Sequence, residues 1–134
     1  MEARVTWVED KRFVGQGASG HGIVVDGSAE KLGSSPMELV LIGTAGCTAY
    51  DVLSILQKKR QQVTGLEVLA RGQRAETPPR VYTEIDLEYV VRGRGIKASD
   101  VEKAIRLSKE KYCSASIMLA ETATVRTSFR VEED

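Results

Sequence analysis

The sequence has little cysteine, little histidine and no net charge, and each shortage excludes a class of protein. Two cysteines and one histidine fall short of the four Cys or His ligands of a usual structural zinc site. Nineteen basic residues balance nineteen acidic ones along the chain, so charge gives no reason to expect nucleic acid or an anionic membrane as a partner. No HExxH or paired-carboxylate spacing stands out, so we predict no metal site.

Signals for secretion or membrane insertion are also missing. The opening segment MEARVTWVED lacks the apolar core of a signal peptide. The longest apolar run, about Leu39 to Cys47, is too short and too interrupted to span a membrane. Two well-separated cysteines do not resemble a secreted disulfide framework. We therefore expect a cytoplasmic protein whose residues 1–134 form a single domain.

Strand and helix patterns alternate along the chain and predict an α+β fold. Two or three strands open the sequence, and a long helix follows from about Met37 to Gln61, with Ser35 as its N-cap and Pro36 at its first position. Two more strands, a second helix, a short helix in SASIMLAETA and a final strand in TVRTSFRVEE complete the order. This order predicts antiparallel sheets packed on a long buried central helix.

The segment VYTEIDLEYVVRG shows the clearest alternation. Its predicted core face holds Val81, Thr83, Ile85, Leu87, Tyr89 and Val91, and the opposite face is mostly polar.

The segment KASDVEKAIRLSKEKYC predicts an amphipathic helix that ends near Cys113. Its expected buried stripe consists of Val101, Ala104, Ile105 and Leu107 or Ser108. Ser99 is the expected N-cap, because Glu102 follows three residues later as in a capping box.

The long central helix is apolar on most of its sides. Its few polar residues between Leu39 and Leu56 are Thr44, Thr48, Asp51 and Ser54. Such a helix must be covered on most sides, whereas one small sheet covers a single side. We therefore expect a second copy of the chain to cover another side, in an obligate homodimer.

The two cysteines have two interpretations each at this point. Cys47 lies in the middle of the long helix, where it is either a small core residue or a shielded nucleophile. Asp51, four residues later, is expected to face it and oppose a thiolate. The small residues in GTAGC leave room for either close helix packing or a substrate beside the sulfur. Cys113 is either core or the second member of a redox pair.

Two cysteine motifs carry a resemblance to a known family. SSPMELVLIGTAGCTAYDV and EKYCSASIMLAETATVRTSF together resemble the OsmC/Ohr family of osmotically inducible and organic hydroperoxide resistance proteins. The opening segment and SILQKKRQ are most similar to its YhfA-like branch. The resemblance extends over essentially the whole chain. It implies an intertwined homodimer and a cofactor-free thiol peroxidase that reduces organic hydroperoxides and is recycled by a dithiol such as a lipoyl group.

The resemblance also implies roles for individual residues. Cys47 matches the peroxidatic cysteine and Cys113 the resolving cysteine. Family members place glutamate directly after the proline that opens the helix, whereas Met37 stands there in this chain and Glu38 follows. Glu38 is therefore either the catalytic glutamate or a first-turn carboxylate that suits the helix dipole.

Two further positions match the family more loosely. Arg12 is the nearest match to an activating arginine, with a solvated turn cation as the alternative. His21 matches a position that often holds histidine, and we expect it to form a structural hydrogen bond.

The mismatches to the family pattern leave two functions open. One function is the peroxidase, with an apolar pocket from Leu39, Ile42 and Met118 that selects organic hydroperoxides. It requires the Cα atoms of the two cysteines to approach within about 7 Å. The alternative is a non-catalytic dimeric binding module for an apolar or electrophilic small molecule, in which the cysteines are packing residues or a redox-responsive latch.

Overall fold

The chain opens with a small antiparallel sheet. A computed structural model describes all of Met1–Asp134 and divides it into two units, Met1–Val40 and Leu41–Asp134. In the first unit, β1 (Ala3–Glu9), β2 (Arg12–Gly17) and β3 (Gly22–Asp26) pair in the order β1-β2-β3. All of β1 is exposed, including Trp7 at 66%. The expected two or three opening strands are thus three, and they leave apolar side chains uncovered within their own unit.

The long helix α1 (Pro36–Lys58) begins where its sequence signals predict. Ser35 Oγ accepts from the Glu38 amide at 3.2 Å, and the Glu38 carboxylate accepts from the Ser35 amide at 3.2 Å. This reciprocal pair is a capping box, which satisfies two amide groups at the helix start.

The helix ends three residues earlier than the predicted Gln61. Arg60 adopts a positive φ of 58° and its amide bonds the Gln57 carbonyl, while the Gln61 amide bonds the Leu56 carbonyl. These two bonds form a Schellman motif, which terminates a helix through a left-handed residue. The left-handed conformation of Arg60, which is not a glycine, has no signal in the sequence.

Only one stripe of α1 is buried within the chain. It consists of Thr44, Thr48, Val52 and Leu56 at a spacing of four residues. Other apolar side chains on the helix are open, and Tyr50 is 75% exposed. By length and composition alone α1 is long enough to cross a membrane, contrary to the expectation from the longest apolar run, but the core helix of a soluble protein passes the same test.

The second unit contains a three-stranded mixed sheet. Strands β4 (Gln62–Arg74) and β5 (Tyr82–Arg94) are antiparallel, and β6 (Thr124–Glu133) lies parallel to β5. The expectation of purely antiparallel sheets is therefore wrong for β6. The reason lies in the connection, since the helices between β5 and β6 provide the long crossover that a parallel pair needs.

The core face of β5 agrees with its alternation except at the start. Ile85, Leu87, Tyr89 and Val91 are buried as predicted, whereas Val81 and Thr83 are exposed. Tyr82 is buried instead, because its ring covers Gly72 on β4, where a Cβ atom would lie 2.5 Å from the ring. Val90 is buried as well. A glycine on the neighbouring strand thus reverses the expected exposure at the start of β5.

The crossover consists of α2 (Ala98–Leu107), a π-helical turn (Ser108–Tyr112) and α3 (Ser114–Leu119). Val101, Ala104, Ile105 and Ser108 are buried, which confirms the predicted stripe. The predicted Ser99 cap is wrong, because α2 starts at Ala98. Lys97 is the N-cap residue, and the side chain of Gln61 accepts from its amide at 2.9 Å and donates to Asp100 at 3.1 Å.

Candidate active site at the two cysteines

Cys47 lies in the middle of α1 and is partly exposed as a free thiol. A Cβ atom built on Gly43 or Gly46 would meet nothing within 4 Å. The small residues of GTAGC are therefore not explained by close packing inside this chain. The side of α1 next to the sulfur is open.

Cys113 lies in a buried and more constrained position. Its amide bonds the Ser108 carbonyl at 2.8 Å and closes the π turn, and its sulfur accepts from the Ser116 amide at 3.4 Å as the N-cap of α3. The side chain has no exposed surface. A π turn is a rare element that is frequent at functional sites, and here it sets the direction in which the second thiol points.

The structure places the two thiols near enough for the charge of Cys47 to act on Cys113. Burial raises the pKa of the Cys113 thiol, hydrogen bonds from Ser116 oppose this, and the hydrogen bond and negative charge of Cys47 raise the pKa further. Two neighbouring thiols, one buried and one half-buried, favour one thiolate at most, because like charges repel. This effect on the Cys113 pKa favours the thiol form of Cys113 in the reduced pair.

A chain of hydroxyl groups lies beside Cys113 and was not predicted from the sequence. Thr48 Oγ1 is 2.7 Å from Tyr89 Oη and 2.8 Å from Ser108 Oγ, and Ser108 Oγ donates to Asp51 Oδ2 at 3.0 Å. Asp51 was expected to face Cys47, but this contact directs its carboxylate to Ser108. The one available signal was the placement of Thr44, Thr48 and Asp51 on an otherwise apolar helix.

Tyr89 connects this hydroxyl chain to the cysteine pair. Burial raises the pKa of Tyr89 to about 12, the hydrogen bond with Thr48 opposes this, and the charges of Cys113 and Asp51 raise the pKa further. Tyr89 is therefore a neutral phenol throughout the physiological pH range. It has no exposed surface.

Glu38 has a structural role in the N-terminal unit. Its carboxylate is the acceptor of the capping box with Ser35 and is exposed. The sequence left two roles open for Glu38, a catalytic glutamate or a first-turn carboxylate. The geometry corresponds to the first-turn carboxylate.

Arg12 is neither free nor solvated. Its guanidinium contacts Ser28 Oγ at 3.1 Å, Glu30 at 3.2 Å, Glu9 at 3.6 Å and Asp26 at 4.0 Å, and the side chain is only 13% exposed. Asp26 in turn accepts from the amides of Ser28 and Leu32 at 2.7 Å each. Arg12 therefore stabilises the loop that follows β3 through these contacts. The alternative prediction, a solvated cation in a turn, is wrong.

His21 is exposed in the turn before β3 and forms no side-chain hydrogen bond within this chain. The expected structural hydrogen bond is therefore not formed.

A cavity lies along the open side of α1. It measures about 580 Å³ and is lined by Gly46, Ala49, Tyr50 and Leu53 from α1 and by residues 63–66 of β4. Cys47 itself does not line it, although its neighbour Gly46 does. The expected pocket residues Ile42 and Met118 are 57% and 69% exposed, so this chain alone does not close a pocket around them.

Comparisons with known proteins identify related sequences and related folds. The family model described as OsmC-like protein matches residues 27–128. Protein YhfA of Escherichia coli K12 is 47% identical over 131 residues, which cover 98% of each chain. A hypothetical protein from Aquifex aeolicus has a crystal structure with 31% identity and a TM-score of 0.90, covering 99% of this chain and 96% of that one. The organic hydroperoxide resistance protein OhrB of Bacillus subtilis shares the fold, with 14% identity, a TM-score of 0.67 and coverage of 97% and 98%.

Proposed function

Because the chain belongs to the OsmC-like family, we propose that it is a cysteine-based thiol peroxidase that reduces organic hydroperoxides. The observation that carries the proposal is the pair of free thiols, Cys47 partly exposed and Cys113 buried, which are near enough for the charge of Cys47 to raise the pKa of Cys113. The known relative named for organic hydroperoxide resistance shares the fold over nearly its full length. We also propose a cytoplasmic location, since free thiols suit a reducing compartment.

The proposed reaction has two steps on the protein. The Cys47 thiolate attacks the terminal oxygen of the hydroperoxide, the O–O bond breaks, and the alkoxide leaves as an alcohol after taking a proton. Cys47 is then a sulfenic acid. The Cys113 sulfur attacks the Cys47 sulfur, the S–O bond breaks, and hydroxide leaves as water with the thiol proton. A dithiol, such as a dihydrolipoyl group, reduces the Cys47–Cys113 disulfide and becomes a disulfide itself.

The surroundings of the two cysteines support this order of roles. A hydroperoxide must reach the attacking sulfur, and Cys47 is the partly exposed member of the pair. Cys113 is held as a thiol at the end of the π turn, beside the sulfur that it is to attack. The open face of α1 next to Cys47 gives room for an apolar substituent on the substrate.

We further propose that the working form is a homodimer. The apolar side chains left exposed on α1 and on β1 would be buried by a second copy of the chain.

Glu38 and Arg12 already have partners within their own unit, Glu38 in the capping box and Arg12 in its contacts with the loop after β3. The catalytic role suggested for Glu38 by the family motif therefore stays a prediction, tested below.

Turnover of cumene hydroperoxide and of hydrogen peroxide with a dihydrolipoyl reductant tests the proposal. Wild type, Cys47→Ser and Cys113→Ser are compared. We expect wild type to prefer cumene hydroperoxide, Cys47→Ser to be inactive, and Cys113→Ser to lose recycling through the disulfide. Equal inactivity of all three proteins would contradict the proposal.

A binding module for an apolar or electrophilic small molecule is the second candidate. The observation that favours it is the cavity of about 580 Å³ beside Gly46, which is within the size range of ligand sites. Retention of an apolar fluorescent probe, weakened by Leu53→Gln, with no peroxide turnover in wild type would favour this function. Peroxide turnover that depends on Cys47 would rule out the binding-module function.

A further inference from the structure

The side chain of Ser108 is bonded to the part of α1 that carries Cys47. Its Oγ lies 2.8 Å from Thr48 Oγ1 and donates to Asp51 Oδ2 at 3.0 Å. Thr48 directly follows Cys47 in the chain, and Asp51 lies about one helical turn after Cys47. Ser108 has no exposed surface. One buried serine therefore fixes the start of the π turn against the segment of α1 around Cys47.

The backbone of Ser108 holds Cys113. The Ser108 carbonyl accepts from the Cys113 amide at 2.8 Å, across the five residues that define a π turn. On the other side, the Cys113 sulfur accepts from the Ser116 amide and the Cys113 carbonyl accepts from the Ser116 hydroxyl, both at 3.4 Å. A short path thus joins Cys47 to Cys113 through Thr48 and Ser108, and each of its steps is a covalent segment or a hydrogen bond.

The carboxylate of Asp51 determines how the Ser108 side chain makes its two bonds. A hydroxyl group has one hydrogen. Ser108 donates its hydrogen to Asp51, so it accepts from Thr48, which in turn accepts from Tyr89 on β5. Removal of one member therefore leaves a buried neighbour with one partner fewer, which is costly away from water.

The direction of the Cys113 side chain depends on where Ser108 is held. Because the Cys113 amide is bonded to the Ser108 carbonyl, a rotation of the helix end at Ser108 also moves Cys113. A change of one residue in register corresponds to about 100° around a helix, which is enough to turn the sulfur out of its present direction. The two side-chain bonds of Ser108 oppose such a rotation, because α1 supplies both partners.

We propose that Ser108 is a positioning residue for disulfide formation, which keeps Cys113 within reach of Cys47 through its bonds to Thr48 and Asp51. Its part in catalysis rests on the proposed function, in which the same disulfide is the product of the second step. The disulfide can also be formed without a peroxide. Cys47 attacks glutathione disulfide and releases one glutathione thiol, and Cys113 then displaces the second glutathione thiol from Cys47.

The test is the equilibrium constant of the Cys47–Cys113 disulfide in mixtures of reduced and oxidised glutathione, measured on the whole protein by thiol alkylation and intact mass. Ser108→Ala removes both side-chain bonds. Asp51→Ala removes one acceptor, whereas Asp51→Asn keeps an acceptor and removes the charge. Val101→Ala is the control for general destabilisation, because Val101 is a fully buried residue of α2 whose loss removes no hydrogen bond. Circular dichroism verifies that each variant is folded.

We expect Ser108→Ala to lower the equilibrium constant about tenfold or more, because a small misplacement of a reacting group has a large effect. Asp51→Ala should lower it by a smaller factor, and Asp51→Asn and Val101→Ala should stay within about twofold of wild type. An unchanged constant in Ser108→Ala would overturn the proposal. An equal decrease in Val101→Ala, or a decrease in Asp51→Asn as large as in Asp51→Ala, would overturn it in favour of lost stability or lost charge.

If Ser108→Ala fails to fold, the comparison of Asp51→Ala with Asp51→Asn tests the proposal, because Asp51 is only half-buried. A decrease in Asp51→Ala that Asp51→Asn does not show would then support the proposal, and equal constants would overturn it. Wild type that forms no disulfide in oxidised glutathione would overturn it whatever its peroxide turnover. Wild type that lacks peroxide turnover but shows the expected equilibria would contradict the proposed function and leave this inference standing.

Discussion

The surroundings of Cys47 and Cys113 differ in almost every respect that affects a thiol. Cys47 is partly exposed on a regular helix, next to two glycines with empty space beside them. Cys113 is fully buried at the junction of a π turn and a short helix, with a hydrogen bond to its sulfur. An accessible sulfur suits reaction with a peroxide, and a fixed, protonated one suits a second step. The two local structures thus suit the two different roles that we propose for the same residue type.

The largest effect should come from exchanging the accessible sulfur. Cys47→Ser should lower hydroperoxide turnover at least about 10³-fold, because no other group supplies the nucleophile. Cys113→Ser should still be oxidised once per chain, since its defect lies in the second step. Stopped-flow oxidation followed by sulfenic acid trapping separates the two. Sulfenic acid formation in Cys47→Ser at the wild-type rate would reverse the assigned roles.

The two sides of α1 should differ strongly in their effect on stability. Leu56→Ala removes a fully buried side chain and should lower the free energy of unfolding by about 2–5 kcal/mol. Tyr50→Ala removes a side chain that is 75% exposed in the single chain. It should change the unfolding of a dissociated chain by about 0.5 kcal/mol or less.

Urea unfolding and sedimentation analysis measure these two effects. In the proposed homodimer, Tyr50→Ala should weaken association more than it weakens folding. Unchanged association in Tyr50→Ala would show that this side of α1 is not the interface.

Alkaline pH should destabilise the region around Cys113. Tyr89 has its pKa raised from 10.0 to about 12 in the folded chain. An acid with a raised folded pKa binds more protons when folded, so stability falls as pH rises between the unfolded and folded values. Tyr89 therefore contributes stability that is present below pH 10 and is lost towards pH 12, and Cys113 adds a loss that begins near pH 9.0.

Urea unfolding between pH 8 and 11 checks this prediction. Tyr89→Phe should show a smaller decrease in stability above pH 10 than wild type. Parallel decreases in the two proteins would place the alkaline effect on other groups.

The smallest effect should come from Glu38. Glutamine keeps an acceptor for the capping box, so Glu38→Gln should leave both stability and turnover nearly unchanged. Glu38→Ala should cost about 0.5–1 kcal/mol of stability through the lost cap. Thermal unfolding and steady-state kinetics measure both. A tenfold or greater loss of turnover in Glu38→Gln would instead support the catalytic role that the family motif suggested.

The sequence predicted the elements that local chemistry controls. Ser35, Pro36 and Glu38 specify the start of α1 through side chains that bond the neighbouring backbone. The alternation of β5 and the stripe of α2 follow the periods of strand and helix. These predictions depend on residues within a few positions of one another.

The errors came from contacts between distant residues. The start of α2 lies at Lys97, whose amide bonds the distant Gln61, and the ring of Tyr82 is buried against Gly72. Asp51 bonds Ser108 across 57 positions and no longer fits the role expected from its spacing to Cys47. The hydroxyl chain was missed for the same reason, because its members come from α1, β5 and the π turn. No local pattern indicates such a meeting.

The most direct test of the central claim is the disulfide itself. The reduced protein is treated with one equivalent of cumene hydroperoxide, blocked, digested without reductant and examined by mass spectrometry. The account predicts one major linked peptide pair, which joins Cys47 to Cys113 with the loss of two hydrogens, and which is absent after dihydrolipoamide treatment. Oxidation that stops at sulfinic acid on Cys47, or that leaves both thiols unchanged, would contradict it.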